Sequence, residues 1–263
     1  MQQDTGPLID LLHITREVVS RTGKVKRLLS DVSWQLHPGQ RVGVISGSMQ
    51  EAHALLNCAA GITRPQQGHV SIQTHVSWPL GARGGMLNNL TGRENARLLQ
   101  GVYGHGGRRR HDLEQIQFLA DLEEGYFEKP LKKYNKSMRS RFNLAVSLAF
   151  DFDTYIIPKE FAWKSNPNSE RLIRLQNALR TQTKGKSVLM ANTDFDFLEE
   201  FCDEGVVLSQ GSIAYFGSFT DCRSWYETNI NKVPEDDTEE DQEIDEQREV
   251  AIIETNDEGD DLW

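Results

Sequence analysis

The chain predicts an α/β fold: a largely parallel sheet flanked by helices, an antiparallel layer at the amino end and a helical stretch in the middle. Three observations carry this. Short apolar runs alternate with helical stretches along most of the chain. The first candidate strands, 8–14 and 32–36, have no helix between them. The stretch 91–150 is almost wholly helical in pattern and can stand as a subdomain.

Taken in order, strands are expected at 8–14, 32–36 and 41–46, the last following the turn Pro38-Gly39. A helix over 50–60 and a short strand at 70–72 come next. Helices over 92–103, 112–122 and 138–150 make up the helical stretch, interrupted by a Gly- and Arg-rich loop at 104–110. The carboxyl half alternates strand 154–157, helix 170–183, strand 187–191 and helix 196–202, then strands at 205–208 and 212–216. Runs such as Thr154-Tyr155-Ile156-Ile157 are short, β-branched or aromatic, and suit buried parallel strands.

Composition bounds the function. The chain has 263 residues and a net charge of −10, but the average hides a division. Residues 235–261 hold fifteen acids and one base, Arg248, a net −14, so the rest carries +4. The acidic stretch has few aromatics and no amphipathic period, so 232–263 is expected to be a disordered tail on a body spanning 1–231. A mildly basic body without interleaved aromatics argues against nucleic-acid binding. No apolar run approaches the roughly 20 residues that span a bilayer, and the polar start, 1–7, does not resemble a signal peptide. Three scattered cysteines (Cys58, Cys202, Cys222) suit reduced thiols in a cytosolic protein.

The segment 42–45 predicts a strand running into a turn and a helix, where such folds place a phosphate-binding loop. Around it lie Leu29-Ser30-Asp31-Val32-Ser33-Trp34, the Pro38-Gly39 turn and Ala60-Gly61-Ile62-Thr63-Arg64-Pro65-Gln66-Gln67-Gly68. Further on come Leu90-Thr91-Gly92-Arg93-Glu94-Asn95, Met138-Arg139-Ser140-Arg141 and Glu200-Phe201-Cys202-Asp203. Together, over residues 8–226, these motifs resemble the ATP-binding subunits of capsular-polysaccharide export ABC transporters. The resemblance implies an ABC-ATPase-like P-loop fold and an integral membrane permease as partner. It also implies a cytoplasmic place on the inner face of the plasma membrane. In such subunits a permease helix docks between the α/β core and the helical subdomain, which makes Trp78, Leu90 and Arg93 the docking candidates.

The family's chemistry does not follow its framework. A working loop reads G-x-x-x-x-G-K-[ST]: the glycines let backbone N–H groups close on phosphates, the lysine neutralises them, and the hydroxyl holds Mg²⁺. Here the stretch reads Ser46-Gly47-Ser48-Met49-Gln50-Glu51-Ala52-His53-Ala54. Ser46 and Glu51 stand for the glycines, Ala52 for the lysine and His53 for the magnesium ligand. The signature position reads Asn135-Lys136-Ser137, the Asp-Glu position Pro158-Lys159, and the switch position Thr193. No aromatic lies between Ile14 and Leu29 to stack on adenine. A lone His53 does not form a metal site.

The expectation is therefore a pseudo-ATPase: a scaffold or regulator beside a polysaccharide-export permease, with ATP and Mg²⁺ lost as cofactors and no catalytic residue. It pairs with a competent ATP-binding subunit or with itself. Two alternatives stand. The chain hydrolyses ATP through substitute residues such as Lys136, Lys159 or Glu160; or it is a cytosolic regulator of capsule synthesis that meets no permease.

Overall fold

The computed structural model describes residues 6–19, 23–103, 113–158 and 170–230. Strands β1 (Ile9–Val19) and β2 (Val25–Leu36) pair antiparallel, and β3 (Arg41–Ser46) leads into α1 (Met49–Ala59). Strand β4 (Gln67–Ile72) follows, then α2 (Gly92–Tyr103), α3 (Leu113–Ala120) and α4 (Lys136–Ser147), with two single-turn 3-10 helices before α4. The remainder runs β5 (Thr154–Ile157), α5 (Glu170–Gln182), β6 (Ser187–Ala191), α6 (Phe195–Phe201), β7 (Glu204–Ser209), β8 (Ser212–Ser218) and α7 (Phe219–Asn229).

Two sheets result. The antiparallel one has the order β2-β1-β4; the other has the order β5-β6-β3-β7-β8. In the second sheet β5, β6, β3 and β7 run parallel, and β8 returns antiparallel on β7. Every residue of β5 and β6 is buried, as expected of parallel strands covered on both faces. The strand period of two then divides the core. Val42, Val44, Ile156, Leu189 and Val206 join α1 and the antiparallel sheet in one apolar cluster. Ile45, Tyr155, Ile157, Val188 and Val207 join the helices α2–α7 in the other.

The expected strands and helices are all present, and the differences are local. The first two strands run to Val19 and start at Val25, forming one long hairpin. Its outer half is charged and lacked an apolar period to betray it. A bulge in β1 sets His13 and Asp31 at φ 54° and 55°, with His13 Nδ1 2.6 Å from Asp31 Oδ1. Helix α4 begins two residues earlier than expected because Asn135 caps it, its side chain accepting from the Met138 N–H. Helix α7 was not foreseen: only Phe219 and Cys222 of its eleven residues are buried, too few for a readable stripe. Ser218 starts it, accepting from the Asp221 N–H at 3.2 Å.

Candidate functional site

Strand register brings three of the sequence-predicted stations to one edge. Val44 lies beside Ala191, and Ile157 beside Met190. Ser46, Pro158 and Thr193 therefore leave β3, β5 and β6 at the same carboxyl end, where ligands bind in open parallel sheets. Pro158 is buried and Thr193 exposed; Lys159 and Glu160 lie outside the described residues. Asn192, just after β6, is buried, its Oδ1 accepting from the Asp194 N–H at 2.9 Å. The loop at 104–110 and the segment 232–263 also lie outside the described residues.

Only Gly47 and Ser48 separate β3 from α1, so the helix starts three residues before Ala52. The helical start engages the backbone: the N–H groups of Glu51 and Ala52 both point to Ser48 O, at 3.1 and 3.3 Å. Ser46 Oγ accepts from the Ser48 N–H at 3.1 Å and donates to Glu51 Oε2 at 3.1 Å. The other oxygen, Glu51 Oε1, accepts from the Gly211 N–H at 3.0 Å in the β7–β8 turn. A carboxylate is thus held across this edge, beside a helix N-terminus whose dipole favours it. Ala52 is fully buried in the apolar cluster under α1, Ala54 nearly so, and His53 half-buried. Ser48 Oγ is buried without a hydrogen-bond partner.

Gly211 is fixed in this role by its backbone. It sits at φ 78°, and an added Cβ would come 3.2 Å from Leu28 O. Its carbonyl accepts from the Ser30 N–H at 2.8 Å, so the same turn ties β2 to the edge. The Glu51–Gly211 link was not foreseen from the sequence, since 160 residues separate the partners.

The other predicted residues are elsewhere. At the start of α4 the Asn135 side chain serves as the cap, while Lys136 and Ser137 are exposed in the first turn. Trp78 corrects an expectation. It is only 7% exposed, its indole N–H donates to Ser147 Oγ at 3.0 Å, and its ring packs on Tyr103, Phe150 and Phe152. The indole is core, because a ring of this size flanked by three aromatics gains more from burial than from a surface position. Arg93 is held by Glu128 at 2.6 Å and lies over the Phe127 ring. Leu90 is half-buried, and its carbonyl accepts from the Leu131 N–H. What is exposed nearby is Leu87, Leu98 and Val102, 40–53% exposed. Leu98 and Val102, four apart on α2, form an outward apolar pair beside the buried Asn95-Ala96-Leu99 stripe, a signal readable in the sequence.

The stretch Thr91–Asn95 is a structural unit. Thr91 and Glu94 form a reciprocal capping box: Glu94 N–H donates to Thr91 Oγ1 at 3.1 Å, and Thr91 N–H to Glu94 Oε2 at 2.8 Å. The Thr91 N–H, and then the Thr91 hydroxyl, donate to the Glu94 carboxylate and hold it below its usual range. Asn95, fully buried, accepts from the Leu87 N–H and donates to the carbonyls of Leu87, Leu90 and Thr91. A Cβ on Gly92 would lie 2.4 Å from the Tyr134 hydroxyl.

Among the described residues no helix is long and apolar enough to cross a membrane, and no group of three metal-ligating side chains occurs. No known protein-family model matches the chain. Among solved structures it resembles an ATP-binding cassette captured as a dimer with ADP and Pi. That match has a TM-score of 0.61 and 16% identity, covering 80% of this chain and 98% of the other. An ATP-binding subunit of an ABC transporter matches at TM-score 0.63 and 19% identity, over 85% and 95% of the two chains. The fold is that of an ABC ATPase, a P-loop α/β core with an antiparallel layer. In sequence, the polysialic acid transport ATP-binding protein KpsT of Escherichia coli is 30% identical over 206 residues, 78% of this chain and 90% of the relative. The capsule polysaccharide export ATP-binding protein CtrD of Neisseria meningitidis is 23% identical over 83% of this chain and 98% of its own length. The ATP-binding protein BexA of Haemophilus influenzae is 24% identical over 76% and 90% of the two chains. The chain belongs to the ATP-binding subunits of polysaccharide-export ABC transporters.

Proposed function

We propose that this member of the family is a pseudo-ATPase: it takes the place of an ATP-binding subunit beside a polysaccharide-export permease without binding or hydrolysing ATP. Its folded body is 1–231, with α2–α4 and their connections, about 91–150, as the helical subdomain, and 232–263 as an acidic tail. It works as a scaffold or regulator at the cytoplasmic face of the membrane.

The observation that carries this reading is the Glu51 carboxylate held between Ser46 Oγ and the Gly211 N–H. A magnesium-bound triphosphate does not fit the residues present. A carboxylate about 4 Å from a phosphate charge costs on the order of 4 kcal/mol at an effective dielectric near 20. The backbone N–H groups of Glu51 and Ala52 already face a helical carbonyl, so they are not turned outward as a phosphate cradle. Ala52, at the lysine position, is fully buried in the apolar cluster and carries no charge. The rival, hydrolysis through substitute residues, gains nothing from Lys136: it sits on α4, outside the β3–β5–β6 edge.

Calorimetric titration of the full chain with ATP·Mg²⁺ tests the reading. No heat of binding is expected up to millimolar nucleotide, and a micromolar constant would overturn it. A homodimer would hold two such sites, so transport that depends on this chain requires a competent ATP-binding subunit beside it. Purification of the permease complex from the native host should recover that second subunit. ATPase activity in a complex of this chain and permease alone would defeat the proposal. For the permease contact, Leu87, Leu98 and Val102 together with Leu90 supply the exposed apolar surface that Trp78 does not. Charged substitution of Leu98 and Val102 should weaken co-purification with the permease while leaving the fold intact.

A further inference from the structure

From Lys129 through Leu148 the sequence contains six bases and no acid. Lys132, Lys133 and Lys136 are exposed where the 3-10 turn passes into α4. Lys132 Nζ has a neutral partner, Asn89 Oδ1 at 3.0 Å. Arg139 likewise donates to the Leu131 carbonyl and to Asn88 Oδ1. Lys133 and Lys136 make no ion pair with any described residue. Of the six bases Arg141 is paired with an acid, Glu123 at 3.3 Å, while Lys132, Lys133, Lys136 and Arg139 have no acidic partner among the described residues.

Several other basic positions are already engaged with acids. Arg27 pairs with Glu17 at 2.8 Å on the β1–β2 hairpin. Arg223 on α7 holds Asp196, Glu199 and Glu227 at once, and Arg180 pairs with Glu200. The surface around α6 and α7 is therefore acidic and occupied, and it repels a further polyanion. From the end of α7 the chain continues into the segment 235–261, with fifteen acids and one base.

We infer that the acidic segment 235–261 docks on the basic surface formed by Lys132, Lys133, Lys136 and Arg139 of the same chain. Reach is not limiting. The 33 residues after Ile230 span up to about 110 Å extended. A folded body of this size has a radius of gyration of only about 17 Å. Tethering also sets an effective concentration in the millimolar range, so weak, solvated ion pairs suffice to populate the contact. A partner that uses the start of α4 must displace the segment. The inference does not depend on whether the chain binds nucleotide.

Zero-length carbodiimide cross-linking of the full chain, read by mass spectrometry, tests this. An equimolar mixture of isotope-labelled and unlabelled protein separates contacts within one chain from those between chains. Cross-links from 235–261 should concentrate on Lys132, Lys133 and Lys136, within one chain. They should fall severalfold as NaCl rises towards about 1 M, where the Debye length is only about 3 Å. An independent readout is the rate at which a Glu-specific protease cuts the segment at low salt. Substituting Lys132→Gln, Lys133→Gln and Lys136→Gln together should raise that rate about threefold, as a tethered contact of modest occupancy is lost. These lysines are exposed, so the fold, followed by circular dichroism, should be unchanged. Cross-links spread evenly over Lys24, Lys26 and Lys186, cross-links only between chains, or a cutting rate indifferent to the triple substitution would each overturn the inference.

Discussion

Two regions of this protein carry family motifs, and they have fared differently. In the stretch Thr91–Asn95 each side chain has a partner inside the chain: a capping box, an ion pair with Glu128, and the four-bond Asn95 clamp on the loop before α2. At the β3–α1 edge Glu51 is bonded to Ser46 Oγ and to the Gly211 N–H, across the end of the sheet. A residue whose partner is the fold itself cannot be changed without cost to stability. The first region is tied to its own loop and helix, the second to a turn 160 residues away.

Substitutions sharpen that contrast, and the largest effect is expected in the helical stretch. Asn95→Ala removes the side-chain partner of the Leu87 N–H and carbonyl, while the Leu90 and Thr91 carbonyls keep the N–H groups of Leu131 and residue 95; it should cost about 3 kcal/mol, read from the urea midpoint. A loss below about 1 kcal/mol would mean that the loop does not depend on the clamp. At the other edge, Ala52→Lys restores the family's charge, but at a fully buried position. It should destabilise by about 2–3 kcal/mol and gain no affinity for ATP·Mg²⁺. Regained binding from that single change would place the loop in the wrong register here. Glu51→Ala removes the bonds to Ser46 Oγ and the Gly211 N–H and should cost about 1–2 kcal/mol. No loss at all would show that the carboxylate link contributes nothing to stability.

The smallest effect concerns the thiols, which belong to neither region. The cysteines are free and buried. Burial raises the Cys58 thiol to about 11 and the Cys202 thiol to about 12, against 9.0 for an unhindered thiol. Because these folded values are raised, the stabilisation is complete below pH 9 and is lost as pH climbs towards 11–12. At pH 9 the unfolded thiols are half ionised, which costs about 0.4 kcal/mol each. The urea midpoint should fall between pH 8 and pH 10, and fall less in a Cys58→Ser, Cys202→Ser variant once its own lower baseline is subtracted. Neither thiol should react with a disulfide reagent until the chain unfolds.

Much of the fold could be read from the residues. Strands 41–46, 154–157 and 187–191 were legible to the residue, because buried parallel strands are short β-branched runs bounded by turn signals. The outer halves of β1 and β2 were not, since a charged hairpin has no apolar period to mark it. Helix α7 escaped for a related reason: it docks through two residues. At the candidate site, the sequence puts Ser46, Glu51, Ala52 and His53 where β3 leads into α1, but does not show the bond that joins Glu51 to Gly211. The burial of Trp78 was not legible, because nothing in its local sequence announces the three aromatic rings around it.

The sequence alone determined the fold class, the strand and helix order, the family resemblance and the separation of a −14 segment from a +4 remainder. These depend on composition and on periods of two or 3.6 residues, which any stretch of chain carries by itself. The tertiary structure decided what the turn between β3 and α1 holds. Glu51 meets the N–H of Gly211, 160 residues away, because β3 and β7 are neighbours in one parallel sheet and the β7–β8 turn closes over their shared end. No local pattern encodes that meeting. It follows from strand order and register, which are settled only when the whole sheet assembles.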